Sequence, residues 1–98
     1  MKYYIIHITY TVPIEKIEEL TPLHREYLKG HYESGTMLFS GPRVPRTGGV
    51  LFARAEAESA VREMIASDPY NINGAAAYEI IEMNPVLWTN KFEEVFKK

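Results

Sequence analysis

The order of periodic segments in this 98-residue chain predicts an α+β fold with helices laid over one face of an antiparallel sheet. Three observations carry that prediction. Four short runs are rich in β-branched and aromatic residues, as strands prefer. Two stretches of helical periodicity follow the first and third of those runs. Gly and Pro residues punctuate most of the junctions.

The first run covers residues 2–10, with Tyr4, Ile6, Ile8 and Tyr10 on one side and Tyr3, Ile5, His7 and Thr9 on the other. Both sides carry apolar groups, so this strand is expected to be covered on both. After Pro13, Ile14, Ile17, Leu20, His24, Tyr27, Leu28 and His31 recur at helical spacing, with Glu15, Lys16, Glu18, Glu19, Arg25 and Lys29 mostly opposite. Pro22 interrupts that pattern and predicts a break, or a new helix start capped by Thr21. Gly35 stands where a left-handed helix terminus is expected.

Residues 36–40 read as a second strand closed by Gly41-Pro42, residues 43–49 as a hairpin loop, and residues 50–55 as a third strand. Residues 56–67 form the second helical pattern, ended by Pro69. A turn at Asn71-Ile72-Asn73-Gly74 leads to a fourth strand over 75–83. The tail from Trp88 to Lys98 reads as a short helix with Trp88, Phe92, Val95 and Phe96 as its apolar stripe, and Asn90 with Glu93 as a capping box. The succession is the split βαβ arrangement of ferredoxin-like domains, βαββαβ with an extra C-terminal helix. By alternation Ile5, Phe39, Phe52 and Ile80 are expected on the face away from the helices. That face is too apolar to stay wet, so pairing with a second copy is the simplest solution.

The bulk numbers remove several classes of function. The length suits one domain over 1–98, with a core at 1–85 and a helical tail at 86–98. A formal net charge of −2 offers no basic footprint for nucleic acid, and the absence of cysteine removes disulfides, thiolate metal sites and cysteine nucleophiles. No apolar run approaches the roughly 20 residues a bilayer requires. The N-terminal run alternates like a strand and lacks a cleavage site, so the chain is read as soluble and cytoplasmic. There is no phosphate-binding glycine loop, dinucleotide fingerprint or nucleophile elbow, and no cofactor is expected. His7, His24 and His31 lack ligand spacing, and no metal is expected.

What chemistry the chain offers is centred on His24 and Asp68, its only aspartate. His24 occupies an apolar helix face where leucine would pack better. It is either a core histidine with one satisfied hydrogen bond or a general acid–base group. Asp68 precedes Pro69, which holds its backbone extended. Its carboxylate either caps the next turn or accepts the second ring N–H of His24 and supports the imidazolium. Ser40-Gly41-Pro42 either turns a strand end or lets a ligand approach the backbone beside a hydroxyl donor. Tyr70 either lines a pocket or covers a loop. Arg43 and Arg46 are solvated loop residues or attract an anionic substrate.

Taken in order, His24-Arg25-Glu26-Tyr27-Leu28, then Gly35-Thr36-Met37-Leu38-Phe39-Ser40-Gly41-Pro42, then Asp68-Pro69-Tyr70 resemble the YCII-related (YciI-like) family over nearly all of residues 1–85. The resemblance implies a dimeric α+β barrel and an active site at a His–Asp pair, here His24 and Asp68, with Ser40, Gly41 and Pro42 beside the cleft. The family is similar in fold to muconolactone isomerase and cofactor-free monooxygenases, and one branch is associated with dehydrochlorination of a chlorinated hydroxyquinol. This chain departs from it in His31, where an apolar residue is usual, and in the aromatic tail, expected to modify a dimer contact or form a pocket lid. The resulting expectation is a cofactor-independent enzyme, a homodimer, moving protons on a cyclic or aromatic small molecule. The alternatives are a non-catalytic small-molecule binding or sensing module and an oligomerisation domain.

Overall fold

The computed structural model describes residues 1–97 and places four antiparallel strands in the order β2-β3-β1-β4. These are β1 (Lys2–Tyr10), β2 (Met37–Pro42), β3 (Gly48–Ala55) and β4 (Ala76–Met83). Helices α1 (Ile14–Glu33) and α2 (Glu58–Ala66) cover one face, and a single helical turn, α3 (Pro69–Ile72), follows α2. The ferredoxin-like arrangement predicted from the sequence is therefore present.

The alternation in β1 explains the layering. Tyr4, Ile6 and Ile8 are buried, and they pack with Leu51 and Ala53 of β3, Leu28 of α1, and Val61 and Met64 of α2. Burying side chains of this size stabilises by about 1.5–3 kcal/mol each. A second cluster of Ile17, Leu20, Tyr70 and Ala75 joins the start of α1 to α3. Tyr27 of α1 donates its hydroxyl proton to the Met64 carbonyl at 2.7 Å, tying the two long helices together.

Pro22 does not break α1, contrary to the sequence expectation, and Thr21 is not a cap. The Thr21 hydroxyl instead donates to the Ile17 carbonyl at 2.8 Å. A helix-interior proline costs about 3 kcal/mol. Here Ile17 and Leu20 before it and Leu28 after it are all buried, and together they outweigh that cost. Gly35 follows the helix at φ +82°, the left-handed conformation expected of it. Strand β2 runs on through Gly41-Pro42 because it is an edge strand, where a residue without an N–H is tolerated. The 71–74 turn is partly helical, since α3 takes in Asn71 and Ile72.

Register corrects one face assignment. Ile5 pairs with Phe52 and Ile81, so these share the face away from the helices, whereas Ile80 pairs with Ile6 and faces the core. A one-residue change of parity carries a side chain through the sheet. Phe39 pairs with Phe52 and lies on the open face as expected. The tail forms a 3₁₀ turn (Asn90–Phe92) and a helical turn, α4 (Glu93–Phe96), and Lys98 lies outside the described residues. The Asn90–Glu93 capping box does not form, because Asn90 lies inside the 3₁₀ turn with Thr89 at the cap position, and Glu93 accepts the Trp88 indole N–H at 2.8 Å. Phe96 meets Tyr3 edge-on at 5.0 Å and Phe52 at 6.0 Å, and the Tyr3 hydroxyl donates to the Val95 carbonyl at 2.7 Å. The tail thus partly covers its own chain's open face.

At the β3 start, a Cβ on Gly48 would lie 1.8 Å from the Ile8 carbonyl oxygen, inside the β1–β3 ladder. Gly48→Ala should therefore destabilise the fold by about 1–3 kcal/mol or more, the usual range for overpacking, seen as a lowered urea midpoint. Gly41→Ala, where a Cβ would meet no protein atom within 4 Å, should cost far less.

Candidate functional site

Two local devices bring the sequence-predicted pair together. On α1, His24 stands one turn after Leu20 and one turn before Leu28, so it faces the buried side of the helix. Between α2 and α3, Asp68 has extended backbone (φ −66°, ψ 130°) and caps the Pro69–Ile72 turn by accepting the Tyr70 N–H at 3.0 Å. The same oxygen, Oδ1, lies 2.8 Å from His24 Nδ1. Both readings of Asp68 offered by the sequence hold at once, as cap and as histidine partner.

Asp68 is 2% exposed and His24 8%. A buried carboxylate is costly unless hydrogen-bonded, and here the backbone N–H and the imidazole satisfy it. Ionised Asp68 can only accept, so the shared hydrogen belongs to Nδ1 of His24. In the neutral ring Nε2 then carries the lone pair. Among the described residues Nε2 has no hydrogen-bond partner, and it is not one of the sealed-off polar atoms.

Tyr70 holds the imidazole from one side. Its ring stacks on His24 at 4.1 Å between centroids and 15° between planes, and Tyr10 closes on Tyr70 edge-on at 5.9 Å. The Tyr70 hydroxyl lies 2.7 Å from the Thr21 hydroxyl, which also accepts from Arg46 Nη2 at 3.1 Å. Burial pushes the Tyr70 phenol above its ordinary value, and the Thr21 bond and the Arg46 charge oppose that shift. On β4 the Tyr78 hydroxyl is buried beside Asp68 and, among the described residues, makes no hydrogen bond of good geometry. Burial first, and the neighbouring Asp68 charge second, push that phenol far above the usual tyrosine range.

His24, Ser40, Gly41, Pro42 and Tyr70 all line one cleft of about 140 Å³. That volume is close to the roughly 150 Å³ of an engineered cavity able to hold benzene. Asp68 does not line it and stands behind the imidazole. The Ser40 hydroxyl is engaged by the Tyr32 hydroxyl. Gly41 leaves the space beside it open. Arg43 donates to Thr9 Oγ1 and to the Thr47 carbonyl, both at 3.2 Å, which makes it a loop fastener, whereas Arg46 reaches the cleft. His31 lies outside the cleft, with its ring 5.0 Å from Tyr27. The tail is no lid over this cleft, because it lies on the opposite face of the sheet. Sequence reasoning missed Thr21, Tyr10 and Arg25 as cleft residues. Thr21 stands three residues before His24 on the same helix face, a spacing that pointed to it once Pro22 was allowed inside the helix.

Among the described residues, no three or more His, Asp or Glu side chains gather in a group able to hold a metal ion. Nor is any helix of the described residues long and apolar enough to cross a membrane.

Comparison with known proteins places this geometry in context. Residues 1–84 match the model of a family described as the YCII-related domain. A protein of Emericella nidulans, derivative of benzaldehyde biosynthesis cluster protein C, is 38% identical over 60 residues. That match covers 50% of this chain and 61% of the relative, so the chain spans about three fifths of that protein's length. Among solved structures, 5-chloro-2-hydroxyhydroquinone dehydrochlorinase from Burkholderia phenoliruptrix, in complex with 2,5-dihydroxybenzoquinone, superposes with a TM-score of 0.71 at 18% identity. The superposition covers 81% of this chain and 90% of that one, and it is a likeness of fold.

Two outcomes follow from the buried network. Asp68→Asn keeps an oxygen for the Tyr70 N–H, whereas Asp68→Ala removes the cap and strands the His24 N–H. In urea denaturation the alanine variant should be less stable than the asparagine variant by at least about 1 kcal/mol. Above pH 10, the ordinary tyrosine value, the unfolded chain releases phenol protons that the folded chain keeps at Tyr78. Stability should therefore fall as pH rises through this range. Tyr78→Phe should flatten that fall by one proton's worth, and an unchanged slope would mean that the phenol ionises freely in the folded protein.

Proposed function

Because the chain belongs to the YCII-related domain family, we propose that it is a cofactor-independent enzyme moving protons on a small cyclic or aromatic molecule, with His24 as acid–base group and Asp68 as its orienting partner. The observation that carries this reading is the 2.8 Å bond between buried Asp68 and His24 Nδ1 beside a cleft with room for a six-membered ring.

In this mechanism the substrate ring enters the cleft and Nε2 takes a proton from a ring hydroxyl or an activated carbon. The electron pair left behind spreads onto a ring oxygen. It then either accepts a proton at another atom, which is isomerisation, or expels an anionic leaving group such as chloride, which is elimination. Neither course changes the oxidation balance with the surroundings, and neither calls on a cofactor. Asp68 stabilises the imidazolium formed in transit. The Tyr70 stack keeps the ring from turning away, and the Ser40-Gly41-Pro42 strand end forms the opposite wall. The dehydrochlorinase likeness makes a chlorinated hydroxyquinol the first substrate to try.

Self-association belongs to the same reading. Phe39, Ile81 and Met83 are exposed on the open sheet face, and a second copy would cover them.

The test is chloride release from 5-chloro-2-hydroxyhydroquinone, with 2,5-dihydroxybenzoquinone binding measured alongside. His24→Ala should lower kcat about 10²–10⁴-fold while leaving 2,5-dihydroxybenzoquinone affinity within a few fold. If His24→Ala loses binding alone and keeps turnover per bound substrate, the cleft is a binding module and the acid–base role is wrong.

A further inference from the structure

The charge of the cleft is out of keeping with the charge of the chain. The protein carries a formal net charge of −2, yet among the described residues the cleft is lined by Arg25, Arg46 and His24 and by no carboxylate. Among the described residues neither arginine has a carboxylate within 4.0 Å, whereas Arg62 pairs with Glu58 at 2.7 Å on the surface of α2. Asp68 stands behind the imidazole, outside the cleft lining, and already accepts from two donors.

Arg46 is tied to a different part of the fold from Arg43. Its neighbour Arg43 fastens the hairpin loop to β1 through Thr9. Arg46 instead reaches across to α1 and donates one N–H to Thr21 Oγ1 at 3.1 Å. That hydroxyl is itself set by Ile17 and Tyr70, so the guanidinium is held against the ring stack that carries His24. A guanidinium has five N–H donors; Thr21 takes one, and the Tyr10 and Tyr70 hydroxyls lie close enough to engage others, so the donors that remain are the ones a ligand can use. In a partly enclosed cleft a charge-assisted bond to an oxyanion is among the strongest polar contacts available.

We propose that this cleft selects a planar ring bearing an oxyanion, either an ionised ring hydroxyl or a carboxylate, and that Arg46, assisted by Arg25, is the specificity-determining residue. The proposal rests on the cleft being the substrate site described above, but it concerns which charge state binds and not whether turnover follows. The oxyanion lies against Arg46, with the ring plane free to present a proton to His24.

The experiment measures dissociation constants by calorimetry on wild-type, Arg46→Gln, Arg46→Lys and His24→Ala proteins. The ligands are 2,5-dihydroxybenzoquinone, whose hydroxyls ionise as vinylogous carboxylic acids, benzoate, and neutral 1,4-hydroquinone. Wild-type protein should bind an ionised ring at least about 10-fold more tightly than hydroquinone, with a preference that weakens as salt is raised. Arg46→Gln should erase most of that preference by weakening the ionised rings far more than hydroquinone, and Arg46→Lys should restore part of it. Benzoate binding like the quinone would include carboxylates in the class, and benzoate binding like hydroquinone would restrict it to ring oxyanions; both patterns support the proposal. His24→Ala should keep the preference, so a protein that sorts anions without releasing chloride would count against the proton-transfer reading alone. The proposal is overturned if Arg46→Gln weakens all ligands equally, if hydroquinone binds as tightly as the anions, or if no ionised ring binds at millimolar concentration.

Discussion

One carboxylate oxygen holds the two halves of this molecule's chemistry in register. Oδ1 of Asp68 accepts the Tyr70 backbone N–H and faces His24 Nδ1, so a helix cap and a side-chain pair meet at a single atom. The cap starts the helical turn that carries Tyr70, and Tyr70 then stacks on the imidazole that the same oxygen orients. The ring is held at its edge by the acid and on its face by a phenol, and both constraints come from three consecutive residues, Asp68-Pro69-Tyr70. Pro69 completes the device, because it keeps Asp68 extended and opens the next turn at a position where a missing N–H costs nothing.

The sheet separates this device from the tail. On the helix side, Ile8 and Leu51 form the floor of the cleft. On the other side, Phe52 stacks with Tyr3 and Phe39, and the tail residue Phe96 meets Tyr3 and Phe52 edge-on. The alternation of β1 therefore decides which function each apolar group can serve. A residue of odd number in β1 has no access to the cleft, whatever its chemistry, and that includes His7.

Much of this was legible in the chain because the relevant signals are local. Asp-Pro announces a capped turn, Gly35 a left-handed helix end, and the alternation over residues 2–10 a strand with two distinct faces. The pairing of His24 with Asp68 needed the family resemblance, since no spacing rule connects residues 44 apart. Where local rules misled, tertiary packing was the stronger term. Pro22 breaks an isolated helix, but α1 is clamped on both sides of it by buried Ile17, Leu20 and Leu28. Ile80 and Ile81 are adjacent and equally apolar, so pattern cannot tell which faces the core; the register with β1 does. Arg43 and Arg46 look interchangeable in a loop sequence, and only the path of the hairpin sends one to Thr9 and the other to Thr21.

The concealment of Asp68 behind His24 divides responsibility between fold and site. A molecule entering the cleft encounters the imidazole and never the acid, so it senses the carboxylate only through the ring's orientation and charge. Change at Asp68 is therefore first a change in how the chain folds between α2 and α3, whereas change at His24 alters what the cleft offers a visitor while the cap stays in place. The acid serves the fold through its cap on the Tyr70 N–H whether or not the cleft moves protons.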